Sequence, residues 1–216
     1  MHRSMRLIYL IFSLILNVSV LFVMIDNNEL KKKKWATLFS MTGSEIVKIS
    51  THINRYPDLI ITNNQDINSW HPMMQSLKKL KIVKVISKSD SKNIKVLSDL
   101  FDVSESHQTL ITLHGWLNII PAEICETFEI YNGHPGLINV FSELRGKDPQ
   151  KQAWNNIDKY PLVGSVVHRV VPEVDAGEII SYDTASNAEC TSLEDTYKVL
   201  AKTSFNAWKK AINTIL

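Results

Sequence analysis

Cysteine is scarce. Cys125 and Cys190 are the only two in 216 residues, with no CxxC spacing and no set of thiols for zinc, so they read as free thiols of a reducing compartment. No GxGxxG run is present, which leaves a nicotinamide nucleotide without its usual backbone cradle. Neither sign of charge dominates. A net charge of +2 is too small to mark a nucleic-acid surface, and Lys31 to Lys34 hold much of the basic excess locally. Internal repeats and low-complexity tracts are also missing. What remains, 44% apolar and 21% charged residues, is the composition of a globular protein, and the length suits one domain with a sizeable core.

One long hydrophobic run stands apart. Leu7 to Ile25 carries no charge, is interrupted only by Tyr9, Ser13, Asn17 and Ser19, and has basic residues at both ends. As a helix it is long enough to span a bilayer. No small-residue cleavage site follows, since the first alanine is Ala36, which argues against a cleaved signal peptide. Two readings remain for residues 1–33. One is an uncleaved anchor, with Lys31 to Lys34 holding the domain on the cytoplasmic side. The other is an upstream start added to a cytoplasmic enzyme that begins at Met24.

Beyond this run the chain alternates short apolar stretches with amphipathic ones. Trp35–Phe39, Leu59–Thr62, Ile82–Ile86 and Leu110–Leu113 read as buried strands. Between them fall helical patterns: Ile46, Ile49 and Ile53; then Met73, Met74, Leu77 and Leu80 after Pro72; then one helix from Lys88 to Ser104. Gly164 to Val171 and Glu178–Ile180 read as later strands. Asp148-Pro149 predicts a capped helix start, and Thr191-Ser192-Leu193-Glu194 a capping box opening a last helix, with Leu193, Tyr197, Leu200, Ala201, Trp208, Ile212 and Ile215 near one stripe. This pattern predicts an α/β fold with a mainly parallel twisted sheet flanked by helices over residues 34–216. Ligands of such sheets gather at the carboxyl ends of the strands.

Chemistry concentrates in Ile130-Tyr131-Asn132-Gly133-His134-Pro135-Gly136. In extended backbone Asn132 and His134 leave the same face, so a carboxamide and an imidazole emerge side by side. That pair suits a reaction in which a carbonyl oxygen gains negative charge: the amide stabilises it and the imidazole supplies or takes a proton. Asp175, in Val174-Asp175-Ala176-Gly177, is expected to face the imidazole and raise its basicity. A strand, the turn Thr42-Gly43-Ser44 and a following helix form an anion site in outline, through free N–H groups and the helix dipole.

Together with Leu113-His114-Gly115-Trp116-Leu117-Asn118-Ile119-Ile120 and Gly164-Ser165-Val166-Val167-His168, in this order and spacing, the motifs resemble the folate-dependent formyltransferases. The nearest likeness is to the single-domain glycinamide ribonucleotide formyltransferases, over about Trp35 to Ile212. The resemblance implies an α/β formyltransferase domain with Asn132, His134 and Asp175 catalytic and His168 supporting. It implies 10-formyltetrahydrofolate as co-substrate, held by Trp116, Leu117, Asn118, Ile119, Ile120, Val171 and Glu173, and a small-molecule primary amine as acceptor, with no metal and no nucleic acid. The acceptor expected is 5-phosphoribosylglycinamide, its phosphate on Thr42, Gly43 and Ser44; a nucleotide-linked amino sugar and a membrane-tethered non-catalytic homologue are the alternatives. Three departures from the family pattern stand out. Glu45 replaces an Asn at the phosphate turn, Asn118 an Arg in the pterin segment, and Asn139 a Pro after the catalytic motif.

Overall fold

The computed structural model describes residues 33–216, and Lys34–Leu216 forms one compact unit. The expected anchor or misassigned start, Leu7 to Ile25, lies outside the described residues. Among those described, no helix is long and apolar enough to cross a membrane.

Seven strands make one sheet. They are β1 (Lys34–Phe39), β2 (Leu59–Thr62), β3 (Val83–Val85), β4 (Thr109–His114), β5 (Glu129–His134), β6 (Leu162–Arg169) and β7 (Ile179–Ser186), in the spatial order 3-2-1-4-5-6-7. The first five pair in parallel, and β6 and β7 complete the edge antiparallel. β1, β2 and β4 are almost wholly apolar or Thr and almost wholly buried, as strands covered on both faces must be. Alternation along β1 sends Ala36 and Leu38 into a cluster with Leu97, Phe101, Ile124 and Phe128 on one face. Trp35 joins Ile49, Trp208 and Ile212 on the other.

Among the described residues six α-helices cover those faces: α1 (Ser44–Ile53), α2 (Pro72–Lys79), α3 (Ile94–Phe101), α4 (Ala122–Thr127), α5 (Pro149–Asn155) and α6 (Leu193–Ile215). Strand order reverses between β1 and β4, so the crevice at their carboxyl ends is the natural ligand site of the sheet. Gly43, His114 and Gly115 sit there, beside the end of β5.

Several local expectations need correction. The helix expected over Lys88–Ser104 is only α3, with 3₁₀ turns at Asp90–Lys92 and Val103–Gln108. Asn93 caps α3 by accepting from the Val96 N–H, and Asp102, at φ 60°, ends it. Ile94 is exposed there, as are Met73 and Leu80 on and after α2, since each lies off the stripe that Met74, Leu77 and Leu97 bury. The α6 cap is one residue later than the Thr-x-x-Glu spacing implies: Ser192 Oγ accepts from the Asp195 N–H, and Thr191 and Ser192 both donate to the Asp195 carboxylate. Tyr197 and Ala201 of the expected stripe face solvent, and Val199, Thr203 and Ala207 take the buried positions. Asp148 adopts φ 53° and makes no side-chain cap, although Pro149 does open α5. β6 stops at Arg169, short of the expected Val171, because the chain there turns over the sheet edge.

Candidate active site

β5 runs through His134, so Asn132 and His134 are strand residues and leave one face with Gly133 between them. Its antiparallel register with β6 sets Asn132 opposite His168 and His134 opposite Val166. The turn after β6 then returns across this edge, with Asp175 in left-handed backbone at φ 51°. Gly177 permits the return. A Cβ there would fall on the Arg169 carbonyl oxygen and lie 2.8 Å from its carbon. The Asp-x-Gly spacing therefore has a packing cause: the glycine lets the turn close down and deliver the carboxylate.

Asp175 bridges two imidazoles. Its Oδ2 is 3.3 Å from His134 Nδ1 and its Oδ1 is 3.4 Å from His168 Nε2. Oδ2 also accepts a 2.8 Å bond from the Gly146 N–H. Each ring is anchored at its other nitrogen by a main-chain carbonyl, His134 Nε2 on Leu144 and His168 Nδ1 on Arg169, both at 2.8 Å. A carbonyl only accepts, so each of those nitrogens carries a proton and the opposite nitrogen faces Asp175. The Asn132 amide nitrogen lies 3.2 Å from His168 Nε2, the same ring nitrogen that faces Asp175.

Burial pushes the His134 imidazole below the usual histidine range; Asp175 and the Leu144 carbonyl pull it back without overcoming the loss of water. Burial works against ionisation of Asp175 too, but His168, His134 and the Gly146 N–H outweigh it and hold the carboxyl below the usual range. Because Asp175 is the main influence raising His134, Asp175→Asn is expected to lower the His134 titration further. Following the ring protons by NMR against pH checks this, and an upward shift would mean that Asp175 does not raise His134.

The folate segment is split between core and surface. Trp116 and Ile120 are buried against the core, while Leu117 and Ile119 are 73% and 67% exposed. Asn118 donates to Ser91 Oγ at 2.7 Å, so the side chain standing in place of the Arg is tied to the loop after β3. Val171 is half-buried and Glu173 exposed, both on the same turn as Asp175. At the other end of the crevice Gly43 takes φ 73°, and a Cβ there would lie 2.8 Å from Met74 Cγ. Thr42 and Ser44 share a 2.7 Å hydroxyl hydrogen bond at the mouth of the turn. Glu45 does not face that mouth. Its Oε2 is 2.8 Å from His114 Nδ1 and its Oε1 accepts from Ser204 Oγ at 2.6 Å.

The structure therefore brings Asn132, His134, Asp175 and His168 together and places Thr42–Ser44 after β1, two strands away from β5. Sequence reading missed the Leu144 and Arg169 carbonyls and the Gly146 N–H. Of these only Gly146 left a trace, a glycine whose φ of 84° favours that residue. It also missed the Glu45–His114 pair. Among the described residues no cluster of three or more His, Cys, Asp or Glu could hold a metal ion.

This fold recurs in solved structures. Phosphoribosylglycinamide formyltransferase from Campylobacter jejuni superposes with a TM-score of 0.69 at 22% identity, covering 85% of this chain and 98% of that one. A formyltetrahydrofolate deformylase from Pseudomonas syringae superposes at 0.64 with 19% identity, over 83% of this chain and 60% of the other. At such identities the likeness is one of fold. In sequence, a phosphoribosylglycinamide formyltransferase of Dictyostelium discoideum is 35% identical over 77 residues, 33% of this chain and 37% of that protein. The match thus spans little more than a third of that relative. The wider match is to the family: residues 58–212 fit the model of the formyl transferases, and the chain belongs to that family, a formyltransferase-type enzyme on an open α/β sheet.

Proposed function

We propose that this domain transfers a formyl group from 10-formyltetrahydrofolate to a primary amine, and that the amine is 5-phosphoribosylglycinamide, in purine biosynthesis. One observation carries the reading: a single carboxylate, Asp175, contacts both His134 and His168 beside the strand that presents Asn132. The amine nitrogen bonds to the formyl carbon as the carbonyl pair moves onto oxygen. An Asn132 N–H donates to that oxyanion beside the buried His134 and His168 rings. His134, lowered by burial and raised by Asp175, gains basicity as that charge grows and shares in stabilising it. Asp175 takes the proton of the attacking nitrogen, directly or through one water, and passes it to N10 of the folate as the C–N10 bond breaks. The folate lies along Trp116–Ile120 with Val171 and Glu173, where exposed Leu117 and Ile119 offer apolar surface to a flat ring.

The inward turn of Glu45 supports a phosphorylated acceptor, because its carboxylate is held by His114 and Ser204 and the mouth of the turn is left to Thr42 and Ser44. First-turn N–H groups there have no intrahelical acceptor and favour an anion. If residues 7–25 span a bilayer, Lys31 to Lys34 after the apolar run hold the domain on the cytoplasmic side.

The test incubates the full chain with 10-formyltetrahydrofolate and, in separate arms, 5-phosphoribosylglycinamide, a nucleotide-linked amino sugar, or no amine, following tetrahydrofolate release. Release that requires phosphoribosylglycinamide and yields its formyl derivative is the expected result. Release without an amine would replace transfer by hydrolysis; release only with the amino sugar would change the acceptor. No release in any arm would leave a non-catalytic homologue.

A further inference from the structure

Trp208 of α6 is fully buried, yet among the described residues its Nε1–H has no hydrogen-bond partner. Such a donor is usually satisfied, so the ring has been placed for some other reason. Its neighbour is Gly133, the residue between Asn132 and His134. A Cβ built on Gly133 would fall on Trp208 Nε1 and lie 3.1 Å from Cε2 and 3.4 Å from Cδ1. The edge of the indole thus rests on the bare Cα of β5, where only a glycine lets it approach.

The ring is held from its other sides. The His114 imidazole stacks on it at 4.5 Å with a 39° tilt, and His114 is fastened by Glu45 at Nδ1 and by Thr112 Oγ1 at Nε2. Glu45 in turn accepts from Ser204, four residues before Trp208 on α6. Helix, imidazole and carboxylate form a closed frame, so the indole cannot tilt away from Gly133 without disturbing these hydrogen bonds.

We propose that Trp208 is a positioning residue: it sets the height of β5 at Gly133 and so the placement of Asn132 and His134, the proposal resting on the catalytic reading of those two side chains. Trp208 touches neither substrate, so its removal should act on the chemical step more than on binding. A shift near 1 Å in the strand is enough to weaken an oriented donor and imidazole.

A size exchange tests it in the full-length protein. Trp208→Phe keeps an aromatic stack on His114 and withdraws the indole edge; Gly133→Ala alone drives a methyl into that edge. Trp208→Phe is expected to lower kcat about tenfold with both KM values within about threefold of the parent, and Gly133→Ala to lower kcat at least a hundredfold. Combined, the methyl fills the space left by the indole, and kcat should return to within about threefold of Trp208→Phe. The His134 ring and Asn132 amide NMR signals report the same positions without turnover: they should move in each single variant and return toward the parent in the double. If Gly133→Ala is equally harmful on both backgrounds, or if Trp208→Phe lowers Tm but leaves kcat and those signals in place, Trp208 only fills the core. Signals that follow the exchange in a protein that transfers no formyl group would uphold the positioning and sink the catalytic reading.

Discussion

Asp175→Asn is expected to cut turnover by roughly 10³-fold or more while the fold and folate binding survive. The amide matches the carboxylate in shape, and its oxygen can keep the bond from the Gly146 N–H that holds the turn in place. What it cannot supply is charge beside His134 Nδ1 and His168 Nε2, or a site for the proton leaving the amine. The folded Asp175 carboxyl is held below its ordinary range. Its contribution to stability is therefore present above the ordinary carboxylate value and lost as pH falls through the folded one. At pH 7 the variant should melt slightly below the parent, and the gap should close in acid. Single-turnover kinetics and melting curves at two pH values read both effects. A variant within about threefold of parent turnover, under roughly 0.7 kcal/mol, would reduce Asp175 to a structural role.

Gly177→Ala should be nearly as damaging, through position alone. The added methyl meets the Arg169 carbonyl, a main-chain group of the sheet that cannot rotate aside as a side-chain tip would. The 170–178 turn must lift, and it carries Asp175 away from two imidazoles that it reaches only at 3.3 and 3.4 Å. A displacement near 1 Å is enough for about a 10²-fold loss. We expect reduced turnover with a lowered Tm, and His134 titrating lower because its carboxylate has withdrawn. Parent-like turnover and Tm would show that the turn relocates freely and that the Asp-x-Gly spacing serves no positional need.

The two variants separate charge from placement. Asp175→Asn removes charge and keeps the turn; Gly177→Ala keeps the charge and moves it. If both lose turnover but only the second lowers Tm strongly, the division of labour between the two residues is as described. A variant that joins both changes should then be little worse than the poorer single one, since residues acting as a unit do not add.

Much of this architecture is determined by sequence alone. The apolar runs of β1, β2 and β4 and the Ile46/Ile49 stripe of α1 specify parallel strands and covering helices, because burial on both faces leaves few other uses for such segments. Asn132 and His134 share a face through the two-residue period of a strand, a local rule that needs no tertiary contact. The 41 positions from His134 to Asp175 follow no local rule. Their meeting depends on β6 pairing antiparallel to β5 and on the turn folding back over Arg169. The anchors on the two imidazoles were equally hidden, because the carbonyls of Leu144 and Arg169 are groups every residue owns. Glu45 makes the sharpest contrast. From sequence it is a carboxylate beside an anion site; only the packing of β4 and α6 supplies His114 and Ser204, two partners that draw it inward. Periodicity fixes which way a side chain leaves its own element, whereas its partner is chosen by elements distant in the chain, whose arrangement depends on the burial of the whole core.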